Sequence, residues 1–309
     1  MNPHETTYNL IEMNSKTPAL LTTSEETQHA TLPAPDTAER LSRRQFLLRN
    51  GSLLAAAALV QGNEETSHLS LTRHEVRIWG LRAPVRVVQL SDLHRSWCVS
   101  EAFIAQIVAR TNALQPDLIL LTGDFVTKSS GYAESCVRHL QDLHAPMGRY
   151  AVLGNHDYWC DRNTGAPIVA QHLADIGVEL LTNRSVRLDH NLRLVGIDDG
   201  NSGKPNLPMA FERMEAGEAV LAMTHNPMLF PLLSEYPCVT LCGHTHGGQV
   251  NIPFITDAIV GRSMRYLRGW YEEAHAPGRL YVSRGLGTVH VPLRLNSAPE
   301  IALFTLIPA

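Results

Sequence analysis

Gln115-Pro-Asp-Leu-Ile-Leu-Leu-Thr-Gly-Asp-Phe-Val126 runs from a turn into a short apolar strand and stops on a carboxylate. The unbroken Leu118-Ile-Leu-Leu121 run predicts a strand covered on both faces, as in a parallel sheet. In an open α/β sheet, the loops beyond the carboxyl ends of the strands carry the site. Asp124 stands in such a loop, and Gly123 before it permits a tight turn.

The same arrangement recurs outward from this point. Upstream, 69–78 reads as a leading strand and 84–90 as the next, stopping at Ser91-Asp-Leu-His94. Residues 101–112 carry Phe103, Ile104, Ile107 and Val108 at helical spacing, with Ser100 as a cap, and complete a βαβ unit with the 117–122 strand. Downstream, 132–143 and 166–176 predict helices, and 149–153 predicts a strand ending at Gly154-Asn-His-Asp157. Short strands are expected at 178–181, 185–188 and 192–197, with a hairpin turn at Asp189-His-Asn191. A helix is expected over 209–216 and a short one over 228–235. Strand 219–223 delivers Thr224-His-Asn226, and strand 238–242 delivers Gly243-His-Thr-His-Gly-Gly-Gln249. The 261–270 segment reads as loop, followed by a strand near 279–283 and a final alternating strand near 300–307. Strands interleaved with helices favour one layered α/β domain, and the hairpin-like strands favour mixed sheets.

The bulk composition excludes some classes. A formal charge of -4, from 26 basic and 30 acidic residues, provides no electrostatic footprint for nucleic acid. Five cysteines, an odd number, do not form a fully paired disulfide framework, so stability is expected from a core. Cys242 reads as a small buried apolar residue.

Residues 1–40 are rich in Thr, Glu, Pro and Ala and read as a disordered leader. Ser42-Arg-Arg-Gln-Phe-Leu47, followed by the modest apolar run 53–60, makes 41–66 similar to a twin-arginine export signal. That apolar run is too short to span a bilayer. The expectation is export through the twin-arginine machinery to a periplasmic or membrane-associated location. Association with the cytoplasmic face of a membrane is the second expectation. The folded domain is expected over 70–309.

Polar residues follow five of the apolar strands: Asp92 and His94, then Asp124, then Asn155, His156 and Asp157, then His225, then His244 and His246. Turns favour single Asp and Asn residues anyway. Five successive placements instead supply the oxygen and imidazole ligands that two divalent transition ions need. Asp92 and His94, two apart, point the same way in an extended segment, and so do His244 and His246. Asp124, with no carboxylate neighbour, suits a ligand shared by two metals. Asp157 also reads as a helix cap, and Asp198-Asp-Gly200 as a turn.

These residues resemble the calcineurin-like metallophosphoesterase family: Asp92-Leu-His94, Gly123-Asp124, Gly154-Asn-His-Asp157, His225 and Gly243-His-Thr-His246, in family order over about 70–307. The string Gly243-His-Thr-His-Gly-Gly-Gln249 is similar to a bacterial branch that is twin-arginine-exported or membrane-associated. The resemblance implies a four-layer α/β/β/α sandwich. It implies one metal held by Asp92, His94, Asp124 and His246, and a second held by Asp124, Asn155, His225 and His244. Manganese, zinc and iron all occur in the family. His156 is then the non-ligating histidine near the leaving group, and Asp157 orients it. The implied reaction is phosphoester hydrolysis by a metal-bridging hydroxide, most simply of a phosphodiester. Some relatives of the branch cleave the pyrophosphate of UDP-2,3-diacylglucosamine, so a lipid-linked substrate and peripheral membrane contact stay open. A metal-bound scaffold without catalysis is the reading from another class. For substrate contacts the sequence offers Arg262, Arg265, Arg268 and Arg284, together with the apolar stretch 286–293.

Overall fold

The structure is a computed structural model that describes residues 62, 65–233, 235–252, 255–256, 265–273 and 277–309. The leader 1–40, the twin-arginine segment as far as residue 61, and Arg262 lie outside the described residues.

Two six-stranded mixed sheets form the centre. The first has the order β1-β12-β2-β3-β4-β5. Its strands are Ser70–Ile78 (β1), Glu300–Pro308 (β12), Val85–Leu90 (β2), Leu118–Thr122 (β3), Arg149–Val152 (β4) and Glu179–Leu180 (β5). The second has the order β10-β11-β9-β8-β7-β6. Its strands are Gly269–Glu272 (β10), Arg279–Val282 (β11), Val239–Cys242 (β9), Ala219–Met223 (β8), Leu192–Gly196 (β7) and Arg184–Arg187 (β6). The strands that matter for the site, β2-β3-β4 and β7-β8-β9, are parallel within each sheet.

Leu118–Leu121 shows how the layers are made. Side chains alternate across a strand. Leu118 and Leu120 join Val85, Val87, Leu221 and Leu241 in the core between the sheets. Ile119 and Leu121 turn outward and meet helix α1, Glu101–Ala113, through Ile104, Ile107 and Val108. Helices α2 (Ala133–Leu140) and α4 (Ala166–Asp175) cover the same outer face through Cys136, Val137, Leu140, Val169 and Leu173. The outer face of the second sheet is covered by α5 (Leu207–Phe211) and by a 3₁₀ segment, Pro227–Leu233. This is the four-layer α/β/β/α order that the resemblance implies.

The differences from the sequence reading have local causes. Residues 155–163 form a helix, α3, where the sequence reading stops at a loop; its N-cap is Gly154, and its backbone leaves helical values at Cys160. Helix α5 starts earlier than 209 because the Asn206 side chain accepts from Met209 N and Pro208 sits in its first turn. Strand β10, Gly269–Glu272, begins in the stretch read as loop and runs past its end. It is only four residues long, and besides Tyr281 on the neighbouring strand Trp270 gains its partners, Phe304 and His74, from distant segments. The last strand is buried almost throughout, and does not alternate, because it inserts between β1 and β2.

The folded part also begins ahead of Ser70. Glu65 accepts from the backbone N–H groups of Asn296 and Ser297, and Thr66 Oγ1 accepts from Arg294 N. No helix among the described residues is long and apolar enough to cross a membrane.

Candidate active site

Five loops converge where the carboxyl ends of the two sheets meet, following β2, β3 and β4 of one sheet and β8 and β9 of the other. Gln89 ties the sheets beneath them, its side-chain amide donating to Thr122 Oγ1 and to the Cys242 carbonyl. The loops bring together Asp92, His94, Asp124, Asn155, His225, His244 and His246, and His156 stands beside them.

Asp124 is the hinge of the arrangement. Its Oδ1 accepts from His156 N at 2.8 Å. Its Oδ2 lies 3.4 Å from His94 Nε2 and 3.1 Å from His225 Nε2, so one oxygen faces imidazoles from both sheets. On the first side, His94 Nε2 and His246 Nε2 are 3.0 Å apart, and His246 Nε2 is 3.4 Å from Asp92 Oδ1. On the second side, His244 Nδ1 is 3.3 Å from His225 Nε2. Close approach of the loops requires glycine at 154, where a Cβ would stand 2.3 Å from Asp124 Oδ1.

The backbone is not extended here. Asp92, His94, Asp124, His244 and His246 all have φ between 48° and 77°. The expectation that Asp92 and His94 align through an extended segment is therefore corrected, and the same holds for His244 and His246. The side chains converge through left-handed turns, held by Asp92 N donating to Gly123 O and His94 N to Asp124 O. Non-glycine residues in this region cost about 1–3 kcal/mol each, and such strain concentrates at functional sites.

The remaining ring nitrogens are occupied. His225 Nδ1 donates to the Thr122 carbonyl, and His94 Nδ1 meets Thr127 Oγ1. Arg294 Nη2 donates to His246 Nδ1, leaving Nε2 to face Asp92. Asn201 Nδ2 contacts His244 Nε2. Partners of this kind fix ring orientation in metal sites. The donors fit two divalent cations. Two groups of closely spaced ligand atoms are present, Asp92-His94-His246 and Asp92-Asp124-His225. Asn155 Oδ1 is buried without a hydrogen-bond partner in the wall that also holds Asp124 and His244. An orphaned buried oxygen is costly unless something else satisfies it.

Residues 85–250 match the family described as calcineurin-like phosphoesterase. The chain belongs to this family. It is a metal-dependent phosphoester hydrolase of the two-metal kind. Similar relatives include the metallophosphoesterase YkuE of Bacillus subtilis, 28% identical over an alignment 286 residues long that covers 87% of this chain and 98% of that protein. The phosphodiesterase YaeI of Escherichia coli is 29% identical over 282 residues, 86% of this chain and 100% of that one. The UDP-2,3-diacylglucosamine pyrophosphatase LpxG of Chlamydia trachomatis is 28% identical over 272 residues, 71% and 82% of the two chains.

Asp157 of this phosphoesterase has a different partner from the one expected. Its carboxylate does not orient His156. It accepts four backbone N–H groups, from Asp124 and Gly154 on Oδ2 and from Phe125 and Val126 on Oδ1. It thus locks the Asp124 loop to the start of α3. The physical reason is the turn of α3, which aims residue 157 back at Gly154 as a cap. His156 is instead oriented by the Thr127 carbonyl, 3.1 Å from its Nδ1.

Three of the four expected substrate arginines are also reassigned, Arg262 lying outside the described residues. Arg284 pairs with Glu300 and donates to Ser70 Oγ. Arg265 pairs with Glu273, and Arg268 reaches the Gly247 and Asn296 carbonyls. Among the described residues, the arginine that does touch the metal-ligand set is Arg294, completely buried and bonded to four backbone carbonyl or ring acceptors. Its sequence signal is a lone charge between Leu293 and Leu295. Thr122 and Thr127 act partly through backbone carbonyls, which carry no sequence signal. Asp198 and Asp199 serve as turn residues, accepting backbone N–H groups from 199, 201, 202 and 204.

Burial would raise the Asp124 carboxyl, but the facing His225 and His94 imidazoles outweigh it and hold Asp124 far below the usual range. Burial would lower His225, yet the Asp124 charge raises it to about 10. Burial drives His94 and His246 well below 6.5, and burial with the His225 charge takes His244 to about 4. His225 is therefore the imidazolium of the metal-free site. Its contribution to stability is complete below 6.5 and is lost as pH rises toward about 10. A cation bound at His225 Nε2 must displace that proton. We expect manganese affinity to climb about tenfold per pH unit between pH 7 and 9, with one proton released per chain. Calorimetry in buffers of different ionisation enthalpy reads the proton directly, and a flat pH profile would contradict the assignment.

Proposed function

We propose that this phosphoesterase hydrolyses phosphodiesters, with Asp92, His94, Asp124 and His246 around one cation and Asp124, Asn155, His225 and His244 around the other. The observation that carries this reading is Asp124 Oδ2, one oxygen within reach of imidazoles from both sheets. The cations, whether manganese, zinc or iron, would supply Lewis-acid polarisation of the phosphoryl oxygens and activation of a water. His156 supplies the proton. Its Nδ1 is committed to Thr127 O, so Nε2 is the atom left to serve the departing oxygen. Asp157 and Arg294 position the loops and rings.

A pocket of about 370 Å³ opens on Asp124, Asn155, His244 and His246 and continues past His156. That is at the small end of ligand pockets and leaves room beyond a phosphoryl group for an ester arm. A second reading, a lipid-linked pyrophosphate substrate, is supported by the similarity to LpxG and by Val289 in the pocket wall with Val291 exposed beside it. A panel with added manganese separates them: bis-p-nitrophenyl phosphate, p-nitrophenyl phosphate and UDP-2,3-diacylglucosamine. The expected result is fastest turnover of the diester. Preference for the monoester would sink the diesterase reading, and no turnover with two metals per chain would favour a scaffold.

We also propose that residues 42–47 direct twin-arginine export and that the enzyme works outside the cytoplasm, in the periplasm or at a membrane. Replacing Arg43 and Arg44 together by Lys is expected to leave the protein in the cytoplasmic fraction. An unchanged distribution would rule the signal out.

A further inference from the structure

Gln249 closes the Gly243–Gln249 string, and its side chain leaves the metal-ligand set altogether. Its Oε1 accepts from Val289 N at 2.8 Å, and its Nε2 donates to Val289 O at 3.0 Å and Val291 O at 2.9 Å. Three bonds from one amide pin a turn across His290. The His290 backbone sits at φ 61°, in the left-handed region that few non-glycine residues take. The turn carries the exposed His290 to the wall of the active-site pocket.

Trp159 reaches the same pocket from α3. It lies three residues after His156, on the same side of the helix turn. The His156 ring is 5.3 Å from the Trp159 ring and 6.4 Å from the His290 ring. The indole is 49% exposed. A large aromatic surface left open in a pocket beside the proposed proton donor is an arrangement that an apolar group would complete.

Resting on the phosphoesterase reading above, we propose that Trp159 and His290 are the two jaws of an ester-arm subsite. It selects phosphodiesters whose alcohol carries a flat aromatic body. The indole covers one face of that body, and His290, presented by Gln249, closes the other side. Gln249 is a positioning residue, and the two jaws determine specificity.

The test is calorimetric binding of phenylphosphonate and methylphosphonate to the manganese-loaded full chain, with metal content measured for each variant. Aromatic contact of this kind is worth about tenfold in affinity, so wild type should bind the phenyl compound about that much more tightly. In Trp159→Ala the ratio should fall to about one, with methylphosphonate affinity unchanged. His290→Asn, which tolerates the left-handed backbone, should lower the ratio partway. A ratio that survives in Trp159→Ala overturns the subsite, as does equal weakening of both ligands. If loaded wild type binds neither phosphonate, the phosphoesterase assignment of the pocket itself fails, and the subsite fails with it.

Discussion

Asp124→Asn is expected to leave the folded protein with less than one metal per chain and no measurable diester hydrolysis. The side chain is nearly isosteric, so the packing survives. What changes is Oδ2, the oxygen 3.4 Å from His94 Nε2 and 3.1 Å from His225 Nε2. An amide there has one neutral oxygen and an N–H₂ that cannot ligate. Loss of a group that merely orients a metal ligand costs about 10–100-fold in metal affinity. Loss of an atom shared by two sites should exceed that range for both. The same substitution removes the charge that raises His225 to about 10, so proton release on metal uptake should shrink as well. Elemental analysis, activity on bis-p-nitrophenyl phosphate and calorimetric proton counting check the three parts. His156→Ala is the contrast, because neither proposed ligand set includes His156. It should keep both metals and lose about 100-fold or more in kcat on poor leaving groups. Full metal content in Asp124→Asn would remove Asp124 from its bridging role.

Asp157→Asn should be the most destabilising single change in the site. Four backbone N–H groups point at two buried carboxylate oxygens. An amide turns one acceptor into a donor, so at least one pair of N–H groups faces another N–H₂. Buried donors left without partners cost about 1–3 kcal/mol each, and a total on the order of 3 kcal/mol is expected. Denaturant midpoints at constant slope measure it. Burial and the Asp124 charge push the Asp157 carboxyl upward, and the four N–H partners, which need an ionised carboxylate, oppose that push. An unchanged midpoint would show that the cap does not hold the Asp124 loop.

Much of this molecule is legible residue by residue. Leu118–Leu121 declares a strand with two buried faces, and both faces are found, one against the other sheet and one against α1. Asp and His residues placed just past apolar strands mark where the chain gathers polar groups, and the five loops do meet. These features are local, because strand burial and loop position follow from side-chain pattern along a few consecutive residues. The interior place of β12 is not local, since β1 and β2 lie far away in sequence, and β10, though paired with neighbouring β11, packs Trp270 against the distant Phe304 and His74.

The site divides in the same way. Donor identity belongs to the side chains and is fixed by the amino-acid order. The left-handed turns at Asp92, His94 and Asp124, the four N–H bonds on Asp157 and the Thr127 carbonyl behind His156 arise only when loops from different strands are pressed together. The arginines show the division most plainly. Arg284, beside a glycine-rich loop, pairs with Glu300, whereas Arg294, in an apolar run, is buried against His246. A charge next to a site in sequence need not face it, because the direction of a long side chain is set by the acceptors that tertiary packing brings within reach.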